Sequence, residues 1–378
     1  MPRADHHPFL QLAAPHIAGL TPYVPGKPVS ELERELGISD SVKLASNENP
    51  LGCGEAARTA YVECATALAR YPDGGAFALR RAIAAHHGVD AAQVTVGNGS
   101  NDVLDLVART FLHPGTESVF SEYAFAVYPI ATQAVGATAR VVPARDYGHD
   151  LDAMAALVNE RTRVVWIANP NNPTGTWLAS APLRAFIEGL PERVIVVLDE
   201  AYFEYVQEPD YPDTSRWLAD FPNLIVTRTF AKVHGLAALR VGYGLSDRHV
   251  AELMNRVRHP FNVNAPAQEA ATAALGDRAH VERSVAHNRA EMARVTAGLE
   301  RLGLDWIPSV CNFVTVDLGR PAGPVDKSLL RAGVICRPVG NYGLPNHLRI
   351  SIGLADENGR MLAALEQALA ANPAEAGA

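Results

Sequence analysis

The chain has 378 residues, 48% of them apolar and 20% charged, an ordinary composition for a folded protein with material for a buried core. That length exceeds what one hydrophobic core usually supports, so two domains are expected, one clearly larger. With 33 Lys and Arg against 41 Asp and Glu the formal charge is −8, and no basic run of five occurs, which argues against nucleic acid or an anionic membrane as a partner.

The four cysteines, Cys53, Cys64, Cys311 and Cys336, have neither CxxC nor metal-ligand spacing and are expected to be free thiols in a reducing cytoplasm. No stretch of 18 apolar residues occurs and the N-terminus lacks a charged start followed by an apolar run, so neither a transmembrane span nor a leader is expected. HExxH is absent, and the adjacent pairs His6–His7 and His86–His87 point different ways on any regular element. No metal site is expected.

In chain order, residues 1–44 are rich in Pro and Gly (Pro22, Pro25, Gly26, Pro28) and read as an extended arm with a short helix near Ser30–Gly37. From about residue 90, short apolar runs alternate with amphipathic stretches. Strands are predicted at Val94–Val96, Ser118–Ser121, Val141–Pro143, Arg163–Ala168, Val194–Leu198, Leu224–Arg228 and Arg240–Leu245, and helices at Asp102–Leu112, Phe125–Val135, Leu151–Val158 and Ala181–Glu188. Short β-branched strands, apolar on both faces, imply an α/β fold with a mainly parallel sheet covered by helices. After Pro266 two long helical patterns follow, Ala267–Leu275 and His280–Leu302. Then come Phe313–Leu318, Val325–Ala332, Val334–Arg337, Leu348–Ile352 and a last helix at Asp356–Ala370, with a frayed tail after Asn372. The expected division is an arm at 1–45 that joins a small α+β domain at 266–378, with a large domain at 46–265.

Four segments carry candidate chemistry. The chain holds four lysines, Lys27, Lys43, Lys232 and Lys327, against 33 − 4 = 29 arginines. Lys232 differs from the rest because it follows the apolar strand Leu224–Val226 and the hydroxyls of Thr227 and Thr229, with Arg240 eight residues on. A lysine at the end of a buried strand can lose its proton and act as a nucleophile, although a plain rim lysine fits the spacing as well. Gly97-Asn98-Gly99-Ser100-Asn101-Asp102, between a strand and a helix, can hold a phosphate on the N–H groups that open the helix, or simply cap it. Asp199-Glu200-Ala201-Tyr202 ends a fully apolar strand, where a carboxylate needs a partner such as a protonated pyridine nitrogen or a structural cation. Asn169-Pro170-Asn171-Asn172-Pro173-Thr174-Gly175 is a rigid turn that can present an amide to a ligand, or serve only as a turn.

Taken together, NPxNPTG, then DEAY, then TxxK with an arginine eight residues later, resemble fold type I pyridoxal-phosphate aminotransferases. More narrowly, Leu44–Gly52, Arg70–Gly74, Gly97–Asp102, Phe120–Tyr123, Arg228–Gly244, Tyr342–Pro345 and Leu348–Gly353 resemble the histidinol-phosphate aminotransferases, a likeness that runs from about residue 20 to 370. The resemblance implies that the large domain binds pyridoxal 5'-phosphate and that Lys232 carries it as a Schiff base and shuttles the proton. Asp199 then pairs with the pyridinium nitrogen, keeping the ring an electron sink. Tyr202 and Asn172 bond the 3-oxygen, and Tyr123 stacks on the ring. Gly99, Ser100, Asn101, Thr229 and Arg240 hold the phosphate, and Tyr71 reaches the phosphate of the neighbouring subunit in a homodimer. Tyr23, Asn47, Arg337 and Arg349 surround the substrate. The implied reaction moves an amino group between L-histidinol phosphate and 2-oxoglutarate in histidine biosynthesis. An aromatic-amino-acid aminotransferase, or a decarboxylase or lyase on the same fold, remains an alternative at this stage. A transcription regulator built on such a domain would need a basic DNA-binding segment, which the arm does not supply. One departure stands out: many relatives carry Ser just before the lysine and an aromatic residue two positions after it, whereas this chain has Ala231 and His234.

Overall fold

The computed structural model describes residues 9, 12–23 and 26–373; His6–His7, Pro25 and the tail from residue 374 lie outside the described residues. The arm carries α1 (Pro15–Ala18), α2 (Val29–Leu36) and β1 (Val42–Lys43). The large region follows with α3 (Glu55–Cys64), α4 (Phe77–His87), β2 (Val94–Gly97), α5 (Ser100–Phe111), β3 (Glu117–Ser121), α6 (Val127–Ala134), β4 (Thr138–Val142), α7 (Leu151–Leu157) and β5 (Thr162–Ala168). It continues through α8 (Ser180–Gly189), β6 (Ile195–Asp199), β7 (Leu224–Thr229), β8 (Gly242–Ser246), α9 (Arg248–Val257) and α10 (Ala265–Ala274). The remainder is α11 (Arg278–Arg301), β9 (Asp305–Ile307), β10 (Phe313–Asp317), α12 (Ala322–Arg331), β11 (Val334–Ile335), β12 (Arg337–Pro338), β13 (His347–Ser351) and α13 (Ala355–Ala371).

Seven strands form one sheet in the order β2-β8-β7-β6-β5-β3-β4, in which β8 runs antiparallel to both neighbours and the pairs from β7 to β4 are parallel. The two-residue period of a strand explains the apolar runs. Val165, Ile167, Val196, Leu198, Leu224 and Val226 face one helix layer, and their neighbours Val164, Trp166, Ile195, Val197 and Ile225 face the other. The second core is smaller. Val295, Leu299, Val314, Val316, Leu329, Leu348, Ile350 and Leu365 pack between α11, α12, α13 and the antiparallel sheet β12-β13-β10-β9. The arm joins this second unit, since β1 pairs with β11 and Val42 and Leu44 enter its core.

Several elements differ from what the sequence pattern predicts. Helices α3 and α4 are not among the predicted elements, and α3 buries only Ala57, too little to leave an apolar stripe. Helix α9 is also additional, and it buries just Ala251 and Met254. The run expected as one strand at Val334–Arg337 is two, divided at Cys336 between two sheets. Strand β8 begins at Gly242, because Arg240 takes a left-handed conformation, φ 56°, that no strand accepts. Helix α10, expected with the C-terminal region, instead packs Ala267, Ala270, Ala271 and Ala274 into the core of the seven-stranded sheet, mainly against α3. All four cysteines are free. Among the described residues no helix is long and apolar enough to cross a membrane.

Candidate active site

The strands β5, β6 and β7 end together, and their C-terminal ends deliver Asn169–Asn172, Asp199 and Thr229 to one edge of the sheet, the place where open α/β sheets bind ligands. Antiparallel β8 brings Arg240 to the same edge, and β2 feeds the turn that opens α5 at Ser100. A cleft with a cavity volume of about 190 Å³ lies there. Lys232, Asp199, Tyr202, Asn172, Thr229, Arg240, Ser100 and Asn101 line it. Tyr23, Asn47, Arg337 and Arg349 line it too.

Lys232 is half-buried, and its Nζ donates to the Ser46 carbonyl at 3.1 Å and lies 5.5 Å from the Tyr202 ring centre. Burial, with Arg349 and Arg240 adding to it against the opposing pull of Glu48, brings this amine down to about 7. Gly235 makes the arrangement possible. Its φ of +69° suits glycine, and a Cβ there would stand 2.0 Å from the Gly52 carbonyl oxygen. The lysine loop therefore lies against the Ser46–Cys53 segment, and the Asn49 amide donates to Val233 O at 2.7 Å to clamp the two together. Ala231 lines the cleft. His234 does not line it. It is buried against Phe230, 4.0 Å from Glu204, and burial pushes its imidazole down to about 4.

Asp199 is 5% exposed, and burial raises its carboxyl above the usual range, opposed by hydroxyl donors and by Lys232. Tyr202 is buried; its hydroxyl accepts from the Asn47 amide at 2.8 Å, and its ring meets Phe313 edge-on. Asn47 holds a left-handed turn, φ 55°, fixed by Ser351 Oγ accepting from its N–H at 2.8 Å. On the opposite side, the turn into α5 is shaped for an anion. Gly99 has φ +86°, and a Cβ there would come within 2.5 Å of the Arg240 guanidinium. Backbone N–H groups at a helix start and an arginine thus converge with no side chain between them. Thr229 Oγ accepts from Ala231 N at 3.1 Å beside them.

The other wall is the small sheet. Arg337 and Arg349 are direct partners across β12 and β13. Arg349 is 6% exposed; it donates to Asn172 Oδ1 and, at 2.7 Å, to the Ala45 carbonyl, while its Nε has no protein partner. Arg337 is half-buried, with its guanidinium 5.7 Å from the Tyr23 ring centre. Half-buried Asp326, on α12, is pushed up to about 6 by desolvation, with Arg337 and Lys27 opposing.

Three sequence-predicted site residues do not line the cleft. Gly99 stands just behind Ser100. Tyr123, φ 56°, stands beside Gly343 and 6.0 Å from the Tyr147 ring, while Phe125 from the same loop lines the cleft. Tyr71 is 83% exposed and stacks on Phe261 at 4.8 Å. Sequence reasoning missed Tyr128 and Thr227, the hydroxyl donors to Asp199, along with Ser46 and Phe125. Tyr128 gave no signal, since a tyrosine in an apolar helical run reads as core.

An amine with a depressed proton affinity, a buried carboxylate and an anion cradle on one cleft suit a phosphorylated, nitrogenous aromatic cofactor. The comparisons agree. The family description "aminotransferase class I and II" matches residues 39–365. Histidinol-phosphate aminotransferase 2 of Pseudomonas fluorescens is 58% identical over 364 residues, covering 96% of this chain and 98% of that one. A protein of the same name from Pseudomonas aeruginosa is 58% identical, covering 96% and 99%. Among solved structures, histidinol-phosphate aminotransferase from Sinorhizobium meliloti, in complex with pyridoxal-5'-phosphate, superposes with a TM-score of 0.89 at 29% identity over 96% of this chain and 98% of that one. This chain belongs to the class I and II aminotransferases.

Proposed function

We propose that the chain is a pyridoxal-phosphate-dependent transaminase that moves an amino group between L-histidinol phosphate and 2-oxoglutarate in histidine biosynthesis. The observation that carries the substrate reading is the facing pair Arg337 and Arg349 beside Lys232. Like charges directly opposite on antiparallel strands repel, and both guanidiniums line the cleft. An anion bound between them lowers that repulsion. A phosphate, with more charge and more acceptor oxygens than a carboxylate, uses both guanidiniums.

Bound pyridoxal phosphate supplies an electron sink for charge that develops at the substrate's α-carbon. The remaining work falls to the protein. The Lys232 amine is the group that holds the cofactor and moves the proton at the α-carbon, and its depressed proton affinity keeps much of it neutral near pH 7. Asp199 presents a carboxylate to the ring nitrogen. Tyr202 and Asn172 hold the 3-oxygen; Ser100, Asn101, Thr229 and Arg240 hold the phosphate, with Gly99 leaving room. Phe125, which lines the cleft where Tyr123 of the same loop does not, provides aromatic surface for the ring. Asn47 orients Tyr202. Arg349 takes the carboxylate of glutamate, and Tyr23 with Arg337 takes the phosphate of the other substrate.

We propose a homodimer in which Tyr71 completes the neighbour's phosphate site. It is supported by a tyrosine that is 83% exposed yet held by a stack on Phe261, in a stretch of chain that also exposes Leu68 and Phe77. Mixing inactive Lys232→Ala with Tyr71→Phe subunits should restore activity in hybrids, and a fully active monomer would refute it. The domain division we propose keeps the arm with the small unit but moves the boundary to 275–277, between α10 and α11, in keeping with the packing of α10.

The test of function is a panel of amino donors assayed against 2-oxoglutarate. Histidinol phosphate should give the highest kcat/KM by at least about 10-fold, one good charge-assisted contact. Equal or better use of phenylalanine and tyrosine would replace this reading with an aromatic aminotransferase.

A further inference from the structure

Both oxygens of the Asp199 carboxylate are already engaged by the protein. Tyr128 donates its hydroxyl to Oδ2 at 3.0 Å, and Thr227 donates its hydroxyl to Oδ1 at 2.9 Å. Thr227 is the register partner of Asp199 across β6 and β7, so its donor is set by the sheet. Tyr128 comes from α6, 71 residues away, and is wholly buried. Its ring lies nearly parallel to Trp166, 5.3 Å between centres at 8°, with Phe125 edge-on at 6.0 Å. Ring packing therefore places the hydroxyl, and the carboxylate has to come to it.

Burial pushes a carboxyl toward its neutral form, and hydroxyl donors push it back toward the anion. A ring nitrogen is kept protonated only by a partner that is itself ionised and correctly turned. We propose that Tyr128 is a positioning residue for transamination: together with Thr227 it holds Asp199 as an oriented anion for the ring nitrogen of the bound cofactor. The proposal rests on the reading of Asp199 as the partner of that nitrogen. Tyr128 does not line the cleft and touches no reactant, so it acts only through the carboxylate. The competing account reverses the roles: Asp199 merely satisfies a buried hydroxyl, as buried tyrosines need.

Tyr128→Phe removes the hydroxyl and keeps the ring stack. The full-length apoprotein, unmutated and variant, is titrated with pyridoxal phosphate and with its 1-deaza analogue, whose ring has C–H in place of the nitrogen. The unmutated protein should favour pyridoxal phosphate over the analogue. The variant should bind pyridoxal phosphate about 10-fold more weakly, as expected on losing a hydrogen bond to a charged group, and bind the analogue within about 2-fold of the unmutated protein. Equal weakening for both ligands, or none for either, overturns the proposal. Thr227→Val removes the opposite donor and should show the same selective loss, so it carries the test if the phenylalanine variant does not fold. An unmutated protein that binds both ligands equally well would sink the Asp199 reading itself, which separates that failure from a failure of Tyr128.

Discussion

The two walls of the cleft are built to different standards. On the wall of the seven-stranded sheet, Asp199, Thr227 and Thr229 sit at the ends of strands buried on both faces, and each donor or acceptor has a partner fixed by the ladder or by packed rings. On the wall of the small sheet, Arg337 belongs to a strand of two residues, is half-buried, and rests near a tyrosine that is 48% exposed. The difference fits what each wall is asked to do. Holding one cofactor through every turnover rewards fixed geometry. Accepting a phosphate and then a dicarboxylate at one place rewards side chains that can move.

If that contrast is right, substitutions on the sheet wall cost turnover for every substrate, and replacing the half-buried Arg337 on the other wall costs affinity for some. The largest effect belongs to Lys232→Ala, expected to lower kcat by about 10⁴-fold or more with all donors. Single-turnover absorbance measures it, and peptide mapping after borohydride reduction should find the pyridoxyl group at Lys232 in the unmutated protein. A label on Lys43 or another lysine would break the assignment. Next comes Asp199→Asn, which keeps the size but removes the charge and is expected to cost about 10²- to 10³-fold in kcat with little change in KM. Near-normal turnover would make Asp199 a structural partner of Tyr128.

The sheet wall was also the more legible wall. A five-residue apolar run ending in Asp, or a three-residue one leading to Thr-x-Thr before a lone Lys, betrays a buried strand with a polar end, because a strand tolerates apolar residues at every position only when both its faces are covered. Partners contributed by other elements left no such trace. Tyr128 lies in the apolar run VYPIATQA, where its hydroxyl has no local reason to be special, and Ser46 contributes only a carbonyl. Helices α3 and α4 escaped for a related reason: they cover the sheet with small or scattered residues, Ala57 in one and Leu79, Ile83 and Ala84 in the other. Arg337 and Arg349 face each other through a register that no spacing within either strand reveals.

The other wall gives a smaller and more selective effect. Arg337→Ala should weaken histidinol phosphate by about 10- to 100-fold while leaving phenylalanine within a few-fold, since one charge-assisted contact is worth roughly 1.5–3 kcal/mol. Arg349→Ala, by contrast, removes the bonds to Asn172 and Ala45 as well and should impair every donor. Initial rates over a range of each donor decide it. Equal losses for phosphate and aromatic donors in Arg337→Ala would erase the proposed division between the walls.

The smallest effect links the walls through charge. Burial is the main cause that brings the Lys232 amine to about 7, and the Arg349 guanidinium is the next. A lowered lysine value means that the ammonium loses its proton at lower pH than usual, so the reactive amine predominates above about 7. Covalent capture of pyridoxal phosphate by the apoprotein should therefore rise through that pH and level off above it, followed as growth of the visible band. Replacing Arg349 with Gln withdraws the nearby positive charge and leaves the burial, so the rise should move to higher pH without reaching the range of an exposed lysine. The readout is the position of the rise in the capture rate, and it does not depend on whether the variant still turns over substrate. A profile for Arg349→Gln that overlays the unmutated one would mean that the two walls are electrostatically independent and that burial alone prepares the lysine. A profile without a rise between pH 6 and pH 8 in the unmutated protein would mean that capture is limited by something other than the lysine proton.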